Sequence, residues 1–98
     1  MRRDEALATL RALEHALRSQ GVAHLYLFGS AARDEAMPDS DVDVAFDVEP
    51  GADFDAFDQG RICLDIADAL GTSVDLIERK TFSRRMTLEV EAHLIPIF

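Results

Sequence analysis

Gly29-Ser30 and, ten residues further on, Asp41-Val42-Asp43 are the residues in this chain best suited to phosphate chemistry. Glycine has no Cβ to hold an anion away from the backbone. Serine adds a hydroxyl and, where a helix begins, free amides whose dipole favours negative charge. Carboxylates two apart on a strand share a face, with Cα atoms about 6.6 to 7 Å apart. Two acids that close repel each other, and a divalent cation relieves the repulsion. Mg²⁺ is the expected ion, because it takes oxygen ligands, usually one or two carboxylates together with water and substrate phosphates. A third acid, Asp75, alternates with Val74 and Leu76. If its strand lies beside the Asp41/Asp43 strand, three carboxylates converge as the ligand set of a two-metal phosphoryl- or nucleotidyl-transfer site. Arg33, one turn past Ser30, either touches phosphate or pairs with Asp34 or Glu35.

Blander readings compete with this one. A lone Asp-x-Asp is often a solvated strand face, and it is the Gly-Ser turn and the third acid that move the balance to a metal site. A calcium loop starting at Asp39 fails, since its sixth position is Val44 rather than Gly and its twelfth is Pro50 rather than Glu. Neither of the common glycine-rich nucleotide motifs, G-x-x-x-x-G-K and G-x-G-x-x-G, occurs. His15, His24 and His93 match no zinc spacing, and Lys80 reads as a surface charge. Phe54 and Phe57 read as core packing.

The elements that must position these residues follow from periodicity. Apolar residues at three- and four-residue steps predict a helix over 4–19, stopped by Gly21. Residues 22–28 form a strand feeding the Gly-Ser turn, and a short helix capped by the Ser30 hydroxyl runs to Ala36. Met37-Pro38-Asp39-Ser40 then breaks it with turn chemistry. A second strand spans 41–48, with Val42, Val44 and Phe46 facing the core opposite the acids. Asp53 caps a long helix to Leu70, apolar through Phe54, Phe57, Ile62, Leu64, Ile66, Ala67 and Leu70. A third strand covers 72–77, and a last helix runs from 81 or 82 to 92. The apolar tail 94–98 either adds an edge strand, where Pro96 is tolerable, or docks on a partner. Helices and strands in alternation imply an α/β (α+β) fold, a small mixed sheet with helices packed on it, in a single domain 1–98.

Composition sets the outer limits. The 98 residues are 48% apolar and 30% charged, as expected of a globular domain, with a net charge of −9. Such acidity argues against a surface for nucleic-acid backbone, which needs clustered Lys and Arg, and the only lysine is Lys80. A phosphorylated substrate must therefore arrive as a metal complex or meet a small local pocket. No apolar run has the length to span a membrane, the charged start Met1-Arg-Arg-Asp-Glu does not lead into a signal peptide, and Cys63 has no partner for a disulfide. A cytoplasmic protein without nucleic-acid or membrane partners is expected. Asp53, Asp55, Asp58, Asp65 and Asp68 make one side of the long helix acidic, as a solvated face or as a docking surface for a basic partner.

Gly29-Ser30, ten residues, Asp41-x-Asp43 and the later strand acid Asp75 together resemble the DNA polymerase β-like nucleotidyltransferase superfamily. The small size is similar to its minimal branch, the MNT-domain antitoxins paired with HEPN toxins. The resemblance spans nearly the whole chain and implies roles for particular residues. Gly29 and Ser30, with Arg33 beside them, would hold the triphosphate of ATP. Asp41, Asp43 and Asp75 would bind Mg²⁺, and Asp75 would help deprotonate the attacking hydroxyl. The implied reaction moves AMP from ATP to a tyrosine of a HEPN ribonuclease toxin and silences it. The family usually reads Gly-Ser-x-Ala-Arg-Gly, and Asp34 stands here in place of the last Gly. Asp34 and the apolar tail suggest an alternative, a non-catalytic module that masks the toxin. Transfer to an antibiotic or other small molecule is a third reading, weakened by the lack of room for an acceptor-binding domain.

Overall fold

In the computed structural model, which describes residues 1–37 and 39–98, a four-stranded mixed sheet carries the site. Strand β1 (Val22–Phe28) runs antiparallel to β2 (Val42–Val48), and β2 runs parallel to β3 (Val74–Glu78). The tail supplies β4 (Ile95–Pro96), antiparallel to β1, so the order is β3-β2-β1-β4. Beyond its two residues the tail stays bound: the Leu25 amide donates to the Phe98 carbonyl, and the Ile97 amide donates to the Leu25 carbonyl at 2.8 Å. Of the two fates open to the tail, the structure shows the edge strand.

Strand alternation separates two faces. Leu25, Leu27, Val42, Val44, Phe46 and Leu76 point to one side and are buried against the helices. There α1 (Arg3–Arg11) brings Ala6, Leu7 and Leu10, and α2 (Glu14–Ser19) brings Leu17. The long helix α4 (Ala56–Leu70) brings Ile62, Ile66 and Leu70 at four-residue steps. Phe46 lies at the centre, fully buried, with the Phe54 ring 5.5 Å away. The opposite face carries Tyr26, Phe28, Asp43, Asp47 and Asp75.

Several predicted elements differ in detail. The helix expected over 4–19 divides at Leu13, where an i to i−3 bond from Leu13 N–H to the Leu10 carbonyl tightens the turn. Asp55, not Asp53, caps α4, and it does so reciprocally with Asp58 in a capping box. Phe57 and Leu64, expected in the core, are 83% and 70% exposed. The helix after the Gly-Ser turn, α3, is only Gly29–Ala32, and it is preceded by Phe28 with no side-chain cap, so the Ser30 hydroxyl is not its N-cap. It stops short of Ala36 because Asp34 turns left-handed, at φ 59°. Of the turn predicted after it, Pro38 lies outside the described residues, while Met37 and Ser40 bond to one another across it. The last helical segment is a 3₁₀ turn (Arg79–Thr81), then α5 (Arg84–Val90) capped by Ser83, then a second 3₁₀ turn (Glu91–His93).

Strand β3 is an outer strand. Its Ser73-side carbonyls meet β2, as in the bond from Val42 N–H to the Ser73 carbonyl, so those of Val74, Leu76 and Glu78 point outward. All three accept from side chains: Cys63 Sγ at 3.6 Å, Gln59 Nε2 at 3.2 Å and Thr81 Oγ1 at 2.7 Å.

Candidate active site

The acids come together through strand register. Asp43 pairs with Asp75 across the parallel β2–β3 ladder and with Phe28 across the antiparallel β1–β2 ladder. Residues in register on neighbouring strands point to the same face, so the two carboxylates share the side of the sheet away from the helical core. Asp41 sits one residue before β2 begins rather than within it, and is exposed. The cause is that Val42 opens the strand by donating to Ser73.

Electrostatics tie the three acids into one cluster. Burial pushes the Asp43 carboxyl above the ordinary carboxylate value, the charge of Asp75 pushes it further, and Asp41 adds to the push. Arg33 acts against them. Like charges held together on a rigid sheet are an arrangement that a divalent cation favours. Among the described residues, no group of three or more His, Cys, Asp or Glu stands close enough together to hold a metal ion, so Asp41, Asp43 and Asp75 do not form the converged three-carboxylate set expected from the sequence. The donor set is instead an open one: half-buried Asp43 with exposed Asp41 and Asp75 beside it. It fits Mg²⁺, which commonly binds through one or two carboxylates and leaves its other positions to water and phosphate oxygens.

Opposite the acids stands the glycine. Gly29 follows β1 directly and adopts φ 72°. A Cβ there would overlap the Asp43 carboxylate, lying 3.0 Å from Cγ and 3.2 Å from Cβ of Asp43. The turn and the acid are therefore in direct contact, and only glycine leaves the space between them. Ser30 is half-buried at the same turn. The exposed Arg33 guanidinium pairs with Glu35 at 3.2 Å, the second of the partners expected for it. Asp34 accepts a hydrogen bond from the Arg3 backbone N–H at 2.8 Å. Its charge is thus engaged at the start of α1, where a helix N-terminus favours an anion.

Beside the turn opens a cleft of about 520 Å³, lined by Phe28, Gly29, Ala32 and Arg33 on one wall and Glu89, Val90 and His93 on the other. That second wall is made by α5 and the turn after it. Sequence reading assigned these residues no place at the site, and no local signal marks them. They reach it because the chain doubles back over the open sheet face, where Phe82 meets the Phe28 ring edge-on at 6.0 Å.

An acidic pair in strand register thus faces a glycine turn. The chain belongs to the nucleotidyltransferase domain family, whose model matches residues 10–95. It is similar over most of its length to a solved structure described as a minimal nucleotidyltransferase. The two are 34% identical, with a TM-score of 0.72 over 92% of this chain and 94% of that one. Two further structures share the fold at lower identity. One is a toxin-antitoxin with AMP-PNP, 22% identical with a TM-score of 0.73 over 92% of this chain and 72% of that one. The other is an MNT antitoxin in complex with a tri-AMPylated HEPN toxin from Shewanella oneidensis, 20% identical with a TM-score of 0.67 over 95% of this chain and 71% of that one. No curated protein matches the chain.

Proposed function

We propose that this nucleotidyltransferase is Mg²⁺-dependent, takes ATP as donor, and transfers AMP to a tyrosine hydroxyl of a HEPN toxin, so acting as an antitoxin. The observation that carries this reading is the contact of Gly29 with Asp43, itself in register with Asp75. Triphosphate cradle and acidic cluster adjoin, as a reaction at the α-phosphate requires. The AMP-modified toxin held by one fold neighbour supports the acceptor class, and the AMP-PNP in another supports the donor.

Asp41, Asp43 and Asp75 would hold the divalent ions. When bound, those ions supply charge neutralisation at the phosphates and lower the pKa of the attacking hydroxyl. The rest falls to the chain itself. The backbone at Gly29 and the Ser30 hydroxyl receive the phosphates, and Arg33 can exchange Glu35 for a phosphate oxygen. The acceptor oxygen attacks the α-phosphorus and forms the new P–O bond. The bond to the bridging oxygen breaks, and pyrophosphate leaves with its electron pair. The hydroxyl proton passes to the Asp75 carboxylate, which is exposed and so open to an incoming acceptor. Catalysis of this kind is positioning and charge stabilisation. The compartment we propose is the cytoplasm, where ATP is available; among the described residues no helix is long and apolar enough to cross a membrane.

Neither feature that suggested pure masking stands free. The Asp34 carboxylate is taken up by Arg3, and the apolar tail is the fourth strand. The decisive experiment offers labelled ATP and Mg²⁺ with a HEPN toxin encoded beside this chain, and compares the Asp41→Asn/Asp43→Asn variant. Label on the toxin with the native protein and none with the variant is expected. Neutralisation that persists in the variant without labelling refutes the enzymatic reading. Small-molecule acceptors in parallel test antibiotic transfer.

A further inference from the structure

On the same open sheet face, one strand-length from the acids, four side chains from distant segments meet. Tyr26 Oη donates to Asp47 Oδ2 at 2.8 Å. Arg79 Nε donates to Asp47 Oδ1 at 2.9 Å, and Arg79 Nη1 donates to Glu91 Oε1 at 3.1 Å. The guanidinium also stacks over the Tyr26 ring, 5.0 Å from its centroid. Asp47 thus has both carboxylate oxygens occupied, and Arg79 bridges two acids with two of its nitrogens. The chain has only ten Lys and Arg against nineteen Asp and Glu. Committing one arginine to two carboxylates is therefore notable.

What the cluster joins is specific. Tyr26 is on β1, Asp47 on β2, Arg79 follows β3, and Glu91 directly follows α5. Glu89, Val90 and His93, the residues forming the far wall of the 520 Å³ cleft, flank Glu91 on both sides. Little else fastens that wall: α5 contributes no buried residue, and the turn after it none. Leu88 points outward, 74% exposed. The Phe28–Phe82 contact, the half-buried Met86 and Val90, the short β4 and the ion pair of Arg79 with Glu91 hold the α5 wall to the sheet.

We infer that Arg79, with Asp47, Tyr26 and Glu91, is a clasp that sets the width of the cleft beside the Gly29 turn, making Arg79 a positioning residue for the nucleotide. The geometry suits arginine in particular. Its planar fork spans two carboxylates at once and stacks on a ring, whereas a lysine ammonium reaches a carboxylate as a single point. Burial and the bond to Asp47 raise the Tyr26 phenol above its ordinary value, and the bond to Asp47 raises the arginine, as expected of a network satisfied in its present charge state.

The part of this inference that concerns nucleotide rests on the proposed function, and the test separates the two. Hydrogen–deuterium exchange is measured on the full chain for the native protein, Arg79→Ala, Arg79→Lys and Tyr26→Phe, and Mg-ATP binding is measured on the same samples. Arg79→Ala should speed exchange of amides in 84–93 on the order of tenfold, with β1 and β2 amides unchanged. It should weaken Mg-ATP binding on the order of tenfold. Arg79→Lys should fall between native and Ala, and Tyr26→Phe, which keeps the ring, should show the smallest change. In an AMP-transfer assay the loss should appear in KM for ATP while kcat holds within about twofold. Unchanged exchange in 84–93 overturns the clasp. Faster exchange there with undiminished Mg-ATP binding overturns the positioning role. A native protein that binds no Mg-ATP, with exchange still faster in Arg79→Ala, overturns the proposed function and leaves the clasp standing.

Discussion

Replacing Gly29 with alanine should damage the protein twice, by separable amounts. The left-handed φ of 72° costs an L-residue about 1 to 2 kcal/mol. Independently, the new methyl lies 3.0 Å from Asp43 Cγ and 3.2 Å from its Cβ, an overpacking worth about 1 to 3 kcal/mol. Together these come to about 2 to 5 kcal/mol, a large share of the roughly 5 to 15 kcal/mol that holds a domain folded. Rotating the Asp43 side chain relieves the carboxylate overlap, but it carries the acid away from Asp75. A variant that stays folded should therefore lose AMP transfer. Urea denaturation of Gly29→Ala, Asp43→Ala and the double variant resolves the two effects. Removing the carboxylate should restore about 1 kcal/mol or more of the Gly29→Ala loss and leave the backbone part in place. Strict additivity of the two substitutions would falsify the contact between turn and acid.

The remaining expectations concern the acid, the unusual aspartate and the core. Asp43 has a folded-state pKa above its unfolded value, so its ionisation opposes folding, with no effect below the ordinary value of 3.8 and the full penalty once pH exceeds the raised one. Asp43→Asn should therefore melt higher than native protein at pH 7 and converge with it as pH falls toward 3, and equal melting at both ends would contradict this. In the same melts, Mg²⁺ should stabilise the native chain and leave Asp43→Asn unmoved. Asp34→Gly should stay within about 1 kcal/mol of native, since relief at φ 59° offsets the lost bond to Arg3, whereas Asp34→Ala loses the bond and keeps the strain, about 1 to 2 kcal/mol. AMP transfer by Asp34→Gly should be undiminished. Phe46→Ala, at the fully buried centre, should cost about 3 to 5 kcal/mol by chemical denaturation.

Period-two alternation was the most legible signal in the chain. Val42, Val44 and Phe46 inward oblige Asp43 to face outward, and Val74 and Leu76 do the same for Asp75; the structure sets those two acids in register. Asp41 shows the limit of that reasoning, because alternation does not say which residue starts the ladder. Helix phase, unlike apolar type, sets Phe57 and Leu64 on the outer side of α4. At about 100° per residue, Leu64 lies about 200° and Phe57 about 140° around α4 from buried Ile62. The break at Leu13 rests on one shortened hydrogen bond, which leaves the hydrophobic spacing almost intact. Asp34 was visible as an oddity, but its purpose was not. Its partner Arg3 is thirty-one residues away. The far wall of the cleft and the Arg79 cluster had no local signature at all, since Asp47 and Arg79 meet across thirty-two residues only once the sheet exists.

The side chains of Gln59, Cys63 and Thr81, seated on the outward carbonyls of Val74, Leu76 and Glu78, have a bearing on how this molecule meets others. A neighbouring polypeptide seeking to extend the sheet at that margin finds its acceptors already spoken for, and at the opposite margin it finds Pro96. Accretion of copies through backbone ladders is thereby discouraged, and recognition of another protein is left to surface shape and charge.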